Sequence, residues 1–242
     1  MIELKNFCKD YKSPFNKKNS FSVKDITFCV KPGTITGLVG PNGSGKSTII
    51  KAICQFHYQS SGTILITDDN QNKETKSDSS SISPMKLCGY VPEISCLPPD
   101  MKTIDFLYYA AQNHKIPVEK AAYIIENLTN DLFLSEFLDK RIKVLSKGQQ
   151  QKVSFAQALI HNPSNLILDE PFTGLDPAQI IKFRNYITDL GKTKSVLISS
   201  HILSEVANLC SQAYIMYKGR LFKVNDLNNI EKEFLEITEE KQ

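Results

Sequence analysis

Nine consecutive residues, Gly40-Pro41-Asn42-Gly43-Ser44-Gly45-Lys46-Ser47-Thr48, fit the spacing G-x-x-x-x-G-K-[ST]. Glycines at these intervals let backbone N–H groups turn inward around phosphates, and a helix beginning at the lysine adds the positive end of its dipole. Lys46 then offers a mobile cation to β- and γ-phosphates, and the Ser47 hydroxyl suits Mg²⁺. A second group follows far downstream, where the apolar run Leu166-Ile167-Leu168 delivers Asp169 and Glu170. A carboxylate at the end of a parallel strand can hold Mg²⁺ directly or through water, and the next one can orient an attacking water and take its proton. Two adjacent acids alone more often mark a surface; with the glycine-lysine loop upstream they point to hydrolysis of a phosphoanhydride.

Such chemistry requires a strand before the loop and a helix after it. The pattern predicts strands over Ile2 to Phe7, Phe21 to Val30 and Gly33 to Val39, the last running into the loop, and a helix from Lys46 to about Phe56. Gly62 to Ile66 reads as a strand, and Thr67 to Ser83 as a flexible polar insert (about 67–83) with no apolar face before Ile82. Thr103 to Leu145 is rich in helical pattern, with Pro117 placed to start a helix. Beyond it come a helix over Gln149 to Ile160, a buried strand over Asn165 to Leu168 and a helix over Pro177 to Leu190 capped by Asp176. A strand over Ser195 to Ser199, a helix over Ile202 to Cys210, two strands around Lys218-Gly219 and a short amphipathic helix near Leu227 to Ile237 complete the order. Strands alternating with helices predict an α/β fold with a largely parallel sheet.

The chain has 242 residues, 41% apolar and 23% charged, with Lys+Arg 29 against Asp+Glu 26 and a net charge of +3. That balance excludes a strongly basic nucleic-acid binder and a disordered polyanion, so no nucleic-acid partner is expected. No apolar run approaches the ~18 residues of a membrane span, and the alternating start Met1-Ile2-Glu3-Leu4-Lys5-Asn6 has no hydrophobic signal core. The six cysteines lie scattered without a C-x-x-C and read as reduced thiols.

Leu145-Ser146-Lys147-Gly148-Gln149, shortly before the Asp-Glu strand, resembles the signature motif of ATP-binding cassette (ABC) ATPases. Phosphate loop, signature, Asp169-Glu170, Gly174-Leu175-Asp176-Pro177 and His201 occur in that family's order, over roughly Ile2 to Val224. The resemblance implies a P-loop NTPase core with a mainly parallel sheet, an antiparallel β subdomain and a helical subdomain (about 93–155). It places a single cassette over 1–225 and a helical tail over 226–242. It implies ATP and Mg²⁺ as ligands, Lys46, Glu170 and His201 as catalytic groups, and Tyr11 stacked on adenine. Asp169, Ser47 and Glu93 become oxygen ligands for the metal. Ser146, Gly148 and Gln149 would close over a nucleotide held by a second cassette, with Asp176 communicating across that interface.

Three features depart from the family pattern. Lys147 stands where a glycine is usual, and its side chain is expected to point to solvent; Lys152 and Gln157 replace common arginines; Tyr90-Val91-Pro92-Glu93 replaces a glutamine loop. The Pro-Glu pair resembles the branch that serves ABC-2-type exporters. The expected role is an ATPase subunit, cytoplasmic and peripheral on the inner face of a membrane, powering a separate transmembrane permease. The alternatives are an ABC ATPase acting on a ribosome or nucleic acid, and a cassette that binds nucleotide without hydrolysis. Only roughly 100 residues separate phosphate loop and signature, which leaves no room for a long coiled coil between them.

Overall fold

The computed structural model describes residues 1–11, 21–68, 73–76 and 86–239. Along the chain run β1 (Ile2–Tyr11), β2 (Phe21–Val30), β3 (Thr34–Val39), α1 (Lys46–Ile53), β4 (Ser61–Asp68), β5 (Lys73–Lys76) and β6 (Cys88–Val91). Then come α2 (Thr103–Asn113), α3 (Val118–Leu132), α4 (Lys147–Leu159), β7 (Asn165–Asp169) and α5 (Pro177–Gly191). β8 (Ser195–Ser200), α6 (Leu203–Leu209), β9 (Gln212–Tyr217), β10 (Arg220–Lys223) and α7 (Ile230–Glu239) follow. The fold is α/β. A four-stranded antiparallel sheet, β2-β1-β4-β5, lies beside a six-stranded sheet, β10-β9-β3-β8-β7-β6, parallel except at β10.

The larger sheet is covered on both faces, which is why its strands read as unbroken apolar runs. On β7, Ile167 packs into one cluster with α1 and the antiparallel sheet, while Leu166 and Leu168 pack into the other with α2, α3, α4 and α5. The same alternation sends Leu197 of β8 one way and Val196 and Ile198 the other. Ile230 of α7 is buried in the second cluster, with Phe234 and Ile237 against it.

Local differences from the predicted elements have identifiable causes. β1 continues to Tyr11 rather than ending at Phe7, because shifts in its pairing with β2 between Leu4 and Phe7 and between Phe7 and Lys9 break the two-residue alternation. α1 ends at Ile53, short of Phe56, because Gln55 turns left-handed at φ 58°. Phe56 N then donates to Lys51 O at 2.8 Å and Gln55 N to Ala52 O at 3.0 Å, a helix-ending pattern that usually signals itself with Gly. Pro117 caps α3 from just outside, one residue before its first turn. The insert expected over 67–83 is corrected in part: Thr67 and Asp68 belong to β4, and Lys73–Lys76 pairs with it as β5. A run of Lys-Glu-Thr-Lys offers no apolar alternation, yet an edge strand needs only its backbone ladder. The rest of that insert, and residues 12–20, lie outside the described residues.

At the start of α2, Phe106 and Leu107 are core, Ile104 is partly buried, and Tyr108 and Tyr109 are exposed.

Candidate nucleotide site

β3, β7 and β8 run parallel, so their C-terminal ends share one edge of the sheet, with Val39 opposite Ser200 and Asp169 opposite Ser199. Ligand-binding groups of open parallel sheets gather at this edge. The phosphate loop leaves β3 here and turns into α1, whose N-cap, Gly45, gives no side-chain capping bond. The first-turn N–H groups of α1 therefore have no capping side chain and suit an anion. The loop sits tightly: a Cβ on Gly40 would lie 2.1 Å from Met216 O, so no other residue fits. Gly219, at φ 76° in the β9–β10 turn, donates its N–H to Ser44 O at 3.0 Å and supports the loop from beside β2. A Cβ there would meet Ser22 O at 2.0 Å. Gly219→Ala is expected to lower stability by about 1–3 kcal/mol through that clash and the left-handed backbone, and to weaken nucleotide affinity with it. Denaturant unfolding and a nucleotide titration check both.

Lys46 is buried, and its Nζ donates to Gly40 O at 2.6 Å and Pro41 O at 3.3 Å, so the cation rests on the loop's own carbonyls. Burial lowers its pKa; the carboxylates of Glu170, Asp169 and Glu93 act against that shift. Ser44 Oγ is buried with no hydrogen-bond partner. An orphaned hydroxyl, a cation on weak acceptors and an uncapped helix start are what a polyphosphate would satisfy.

Asp169 is buried and accepts a short hydrogen bond from Ser199 Oγ. Burial raises its pKa, and the Ser199 hydroxyl opposes the rise. Glu170 follows at φ 49°, a left-handed conformation that a non-glycine residue keeps only when its surroundings impose it. They do so here: its N–H is held by Ser199 O at 3.2 Å and Ser199 Oγ at 3.1 Å. Glu170 Oε2 lies 2.8 Å from His201 Nδ1, so the imidazole fixes the carboxylate's direction. Burial raises the pKa of Glu170, and the hydrogen bond from His201 lowers it in part. Glu93 is exposed just after β6 and within electrostatic reach of Lys46 and Asp169. Glu93, Asp169 and Ser47, the last half-buried on α1, carry hard oxygens of the kind Mg²⁺ takes.

The signature residues lie elsewhere. Ser146 caps α4, its Oγ accepting from Gln149 N at 3.2 Å while Gln149 Oε1 accepts from Ser146 N at 3.0 Å. Gly148 is buried where a Cβ would approach Gly174 O at 3.1 Å, and Asp176 Oδ1 caps α5 by accepting from Gln179 N at 2.9 Å. Among the described residues no hydrogen bond or ion pair links Ser146, Gly148, Gln149 or Asp176 to Lys46, Asp169, Glu170 or His201. Lys147 is exposed, whereas Lys152 is buried with Nζ 5.7 Å from the Phe133 ring centroid. Pro41, Asn42 and Gly43 are exposed on the loop, and Thr48 is half-buried in α1. Tyr11 ends β1, 40% exposed, its hydroxyl 2.9 Å from His57 Nε2.

Two residues of this region escaped the sequence reading. Ser199, which holds both Asp169 and the Glu170 backbone, was visible only as the end of a strand; the rule that parallel strands present ligands at their C-terminal ends was the available signal. His57 carried no signal, because its contact with Tyr11 spans 46 residues.

A phosphate loop, two acids and a histidine on one sheet edge, with a helix-capping signature apart from them, place the protein in the class of phosphate-loop nucleotide-binding α/β proteins. The ABC transporter family model matches residues 23–173. The Bacillus subtilis ABC transporter ATP-binding protein YxlF is 30% identical, over 96% of this chain and 73% of its own length. Human ATP-binding cassette sub-family A member 10 is 31% identical over 95% of this chain. The chain spans only 15% of that protein and 14% of human cholesterol transporter ABCA5. The dimeric, post-hydrolysis ATP-binding cassette MJ0796 bound to ADP and Pi shares the fold, with a TM-score of 0.82 and 23% identity over 94% of this chain and 99% of that one. The chain belongs to the ABC transporter family, and within it is similar to ATP-binding proteins.

Proposed function

We propose that the chain is the ATPase subunit of a transporter whose membrane-spanning part is a separate chain, and that two cassettes act as a pair. The observation that carries the pairing is the separation just described: loop, acids and histidine on one edge, the signature on the start of α4. Facing another cassette head to tail, Ser146, Gly148 and the N-terminus of α4 offer a hydroxyl, an N–H and a positive dipole end to its γ-phosphate.

Within one cassette, Lys46 and the α1 N–H groups hold the β- and γ-phosphates of ATP. Glu170 receives a proton from the attacking water, and its burial moves its proton affinity toward the working pH, as a general base requires. His201 aims that carboxylate, and Ser199 fixes Asp169. Mg²⁺, when held by Ser47, Asp169 and Glu93, neutralises charge on the transferring phosphoryl group. Loss of the γ-phosphate removes the charge that joins the two copies, so hydrolysis opens the pair.

Among the described residues no helix is long and apolar enough to cross a membrane; in this reading a separate chain supplies the span. A groove of about 880 Å³ between β6, α2, α3 and α4 is suited to one of its segments. Ile116, Ile124 and Leu128 give it apolar walls, and Lys86, Lys115, Lys120 and Lys194 line it, with no Asp or Glu among the described lining residues. Burial first, then neighbouring His114 and Lys194, hold the pKa of its His161 at about 4, so that imidazole is neutral and the lysines carry the groove's charge. The matching segment is amphipathic and acidic. Export is the favoured direction, supported by the Pro92-Glu93 pair, which resembles the branch that serves ABC-2-type exporters.

Purification from detergent-solubilised membranes is expected to recover a membrane-spanning chain. Lys86→Glu/Lys115→Glu/Lys120→Glu together should cut that recovery about tenfold while leaving ATP affinity unchanged. Recovery of ribosomes or DNA instead would overturn the transporter reading.

A further inference from the structure

His57 belongs to the turn that leaves α1, the helix whose first turn carries Lys46, and it reaches back across the end of β1. Its Nε2 lies 2.9 Å from the Tyr11 hydroxyl, and its ring meets the Tyr11 ring edge-on, with centroids 5.9 Å apart and planes at 89°. Neighbouring residues hold the turn to β1: Lys9 Nζ donates to Tyr58 O at 2.6 Å, Asp10 N to Ser60 Oγ at 3.0 Å, and Ser60 N to Cys8 O at 2.8 Å. Lys9 Nζ also stands 5.5 Å from the Tyr11 ring centroid, so its charge lies over that ring. Phe21, across the β1–β2 pairing, lies 6.4 Å from the Tyr11 ring and 3.3 Å from where a Cβ on Gly45 would be. Tyr11 is thus held at its hydroxyl, its edge and over its ring, yet remains 40% exposed beside the phosphate loop.

We propose that His57 is a positioning residue for the nucleoside: it locks the Tyr11 ring in the orientation that receives the base, and ties that platform to α1. The proposal rests on the reading of Tyr11 as the adenine platform. An exposed tyrosine ordinarily spreads over several rotamers, and a ring already fixed loses less freedom when a base stacks on it. The hydrogen bond supplies that fixation from the turn that follows the helix holding the phosphates. The distance between base and phosphates is therefore set through α1 and its pinned turn rather than by two independent loops. Burial, then the charge of Lys9, lowers the pKa of His57, with Lys51 adding to the effect, so the imidazole stays neutral and can share one hydrogen with the hydroxyl.

The test compares ADP, which avoids turnover, with pyrophosphate, which has no base, by calorimetric titration of the full chain. Tyr11→Ala is expected to weaken ADP about tenfold and leave pyrophosphate unchanged. Tyr11→Phe keeps the ring and loses the hydroxyl; it and His57→Ala should each weaken ADP about three- to tenfold, again without affecting pyrophosphate. The double variant should be no weaker than the weaker single one, because both remove the same contact. His57→Gln, which can still hydrogen-bond the hydroxyl, should restore affinity to within about twofold of the wild type. If Tyr11→Ala weakens ADP while His57→Ala and Tyr11→Phe do not, the platform stands and the role of His57 is overturned. If pyrophosphate weakens in step with ADP in His57→Ala, His57 merely braces α1 and the proposal fails. If Tyr11→Ala changes nothing, the platform reading itself falls.

Discussion

Lys46→Ala is expected to weaken ATP binding about 100-fold or more and to leave the folded structure intact. The ammonium is the one side-chain cation that the phosphate loop itself supplies, and charge-assisted bonds to two phosphate groups are worth about 3 kcal/mol or more together. A folding defect is not expected, for a reason visible in the protein without nucleotide. Lys46 donates only to the neutral carbonyls of Gly40 and Pro41, and burial lowers its pKa. A lysine whose folded pKa lies below its unfolded value opposes folding wherever the unfolded group is charged, including neutral pH. Alanine removes that opposition. Calorimetric titration should therefore show lost affinity, while thermal unfolding without nucleotide should show a Tm equal to or above that of the wild type. Near-normal ATP affinity would remove Lys46 from the phosphate site.

Glu170→Gln should separate binding from turnover. A positioned general base contributes about 10²–10⁴-fold, so steady-state hydrolysis should fall by that order. ATP affinity should hold or rise, because the substitution takes a negative charge from beside the γ-phosphate. The amide still reaches His201 and the backbone contacts to Ser199 are unaffected, so the loss would not reflect a collapsed site. ATP-bound pairs of cassettes should accumulate, visible as a larger species in size-exclusion chromatography with ATP and absent with ADP. The wild type should also lose turnover as pH falls through the raised pKa of Glu170, a limb absent from the residual activity of the variant. Full turnover by Glu170→Gln would refute the assigned base.

Much of this site was legible in the chain because its parts are local. The phosphate loop compresses its requirements into nine residues, Gly40 to Thr48, and glycine and lysine have no substitutes for close backbone approach and mobile charge. The helix caps are local as well: Ser146 with Gln149, and Asp176 with Gln179, close within three residues. The strands of the covered sheet announced themselves as continuous apolar runs, since both faces are buried. Elements whose boundaries depend on backbone torsion were harder to place. α1 stops at a left-handed Gln55, where glycine would have given warning, and the polar run of β5 shows no alternation.

The sequence by itself determined the class of chemistry and the order of the elements apart from β5 and β6, because a polyphosphate cradle, a capped signature and an apolar strand ending in two acids are each encoded by neighbours. Only the tertiary structure decided how those pieces act on one another. Glu170 is turned left-handed and held by Ser199 from the adjacent strand, His201 aims its carboxylate across 31 residues, and His57 reaches Tyr11 across 46. These contacts form where parallel strands and helix ends converge, and no spacing within a linear chain records which distant side chains that convergence will bring within hydrogen-bonding distance.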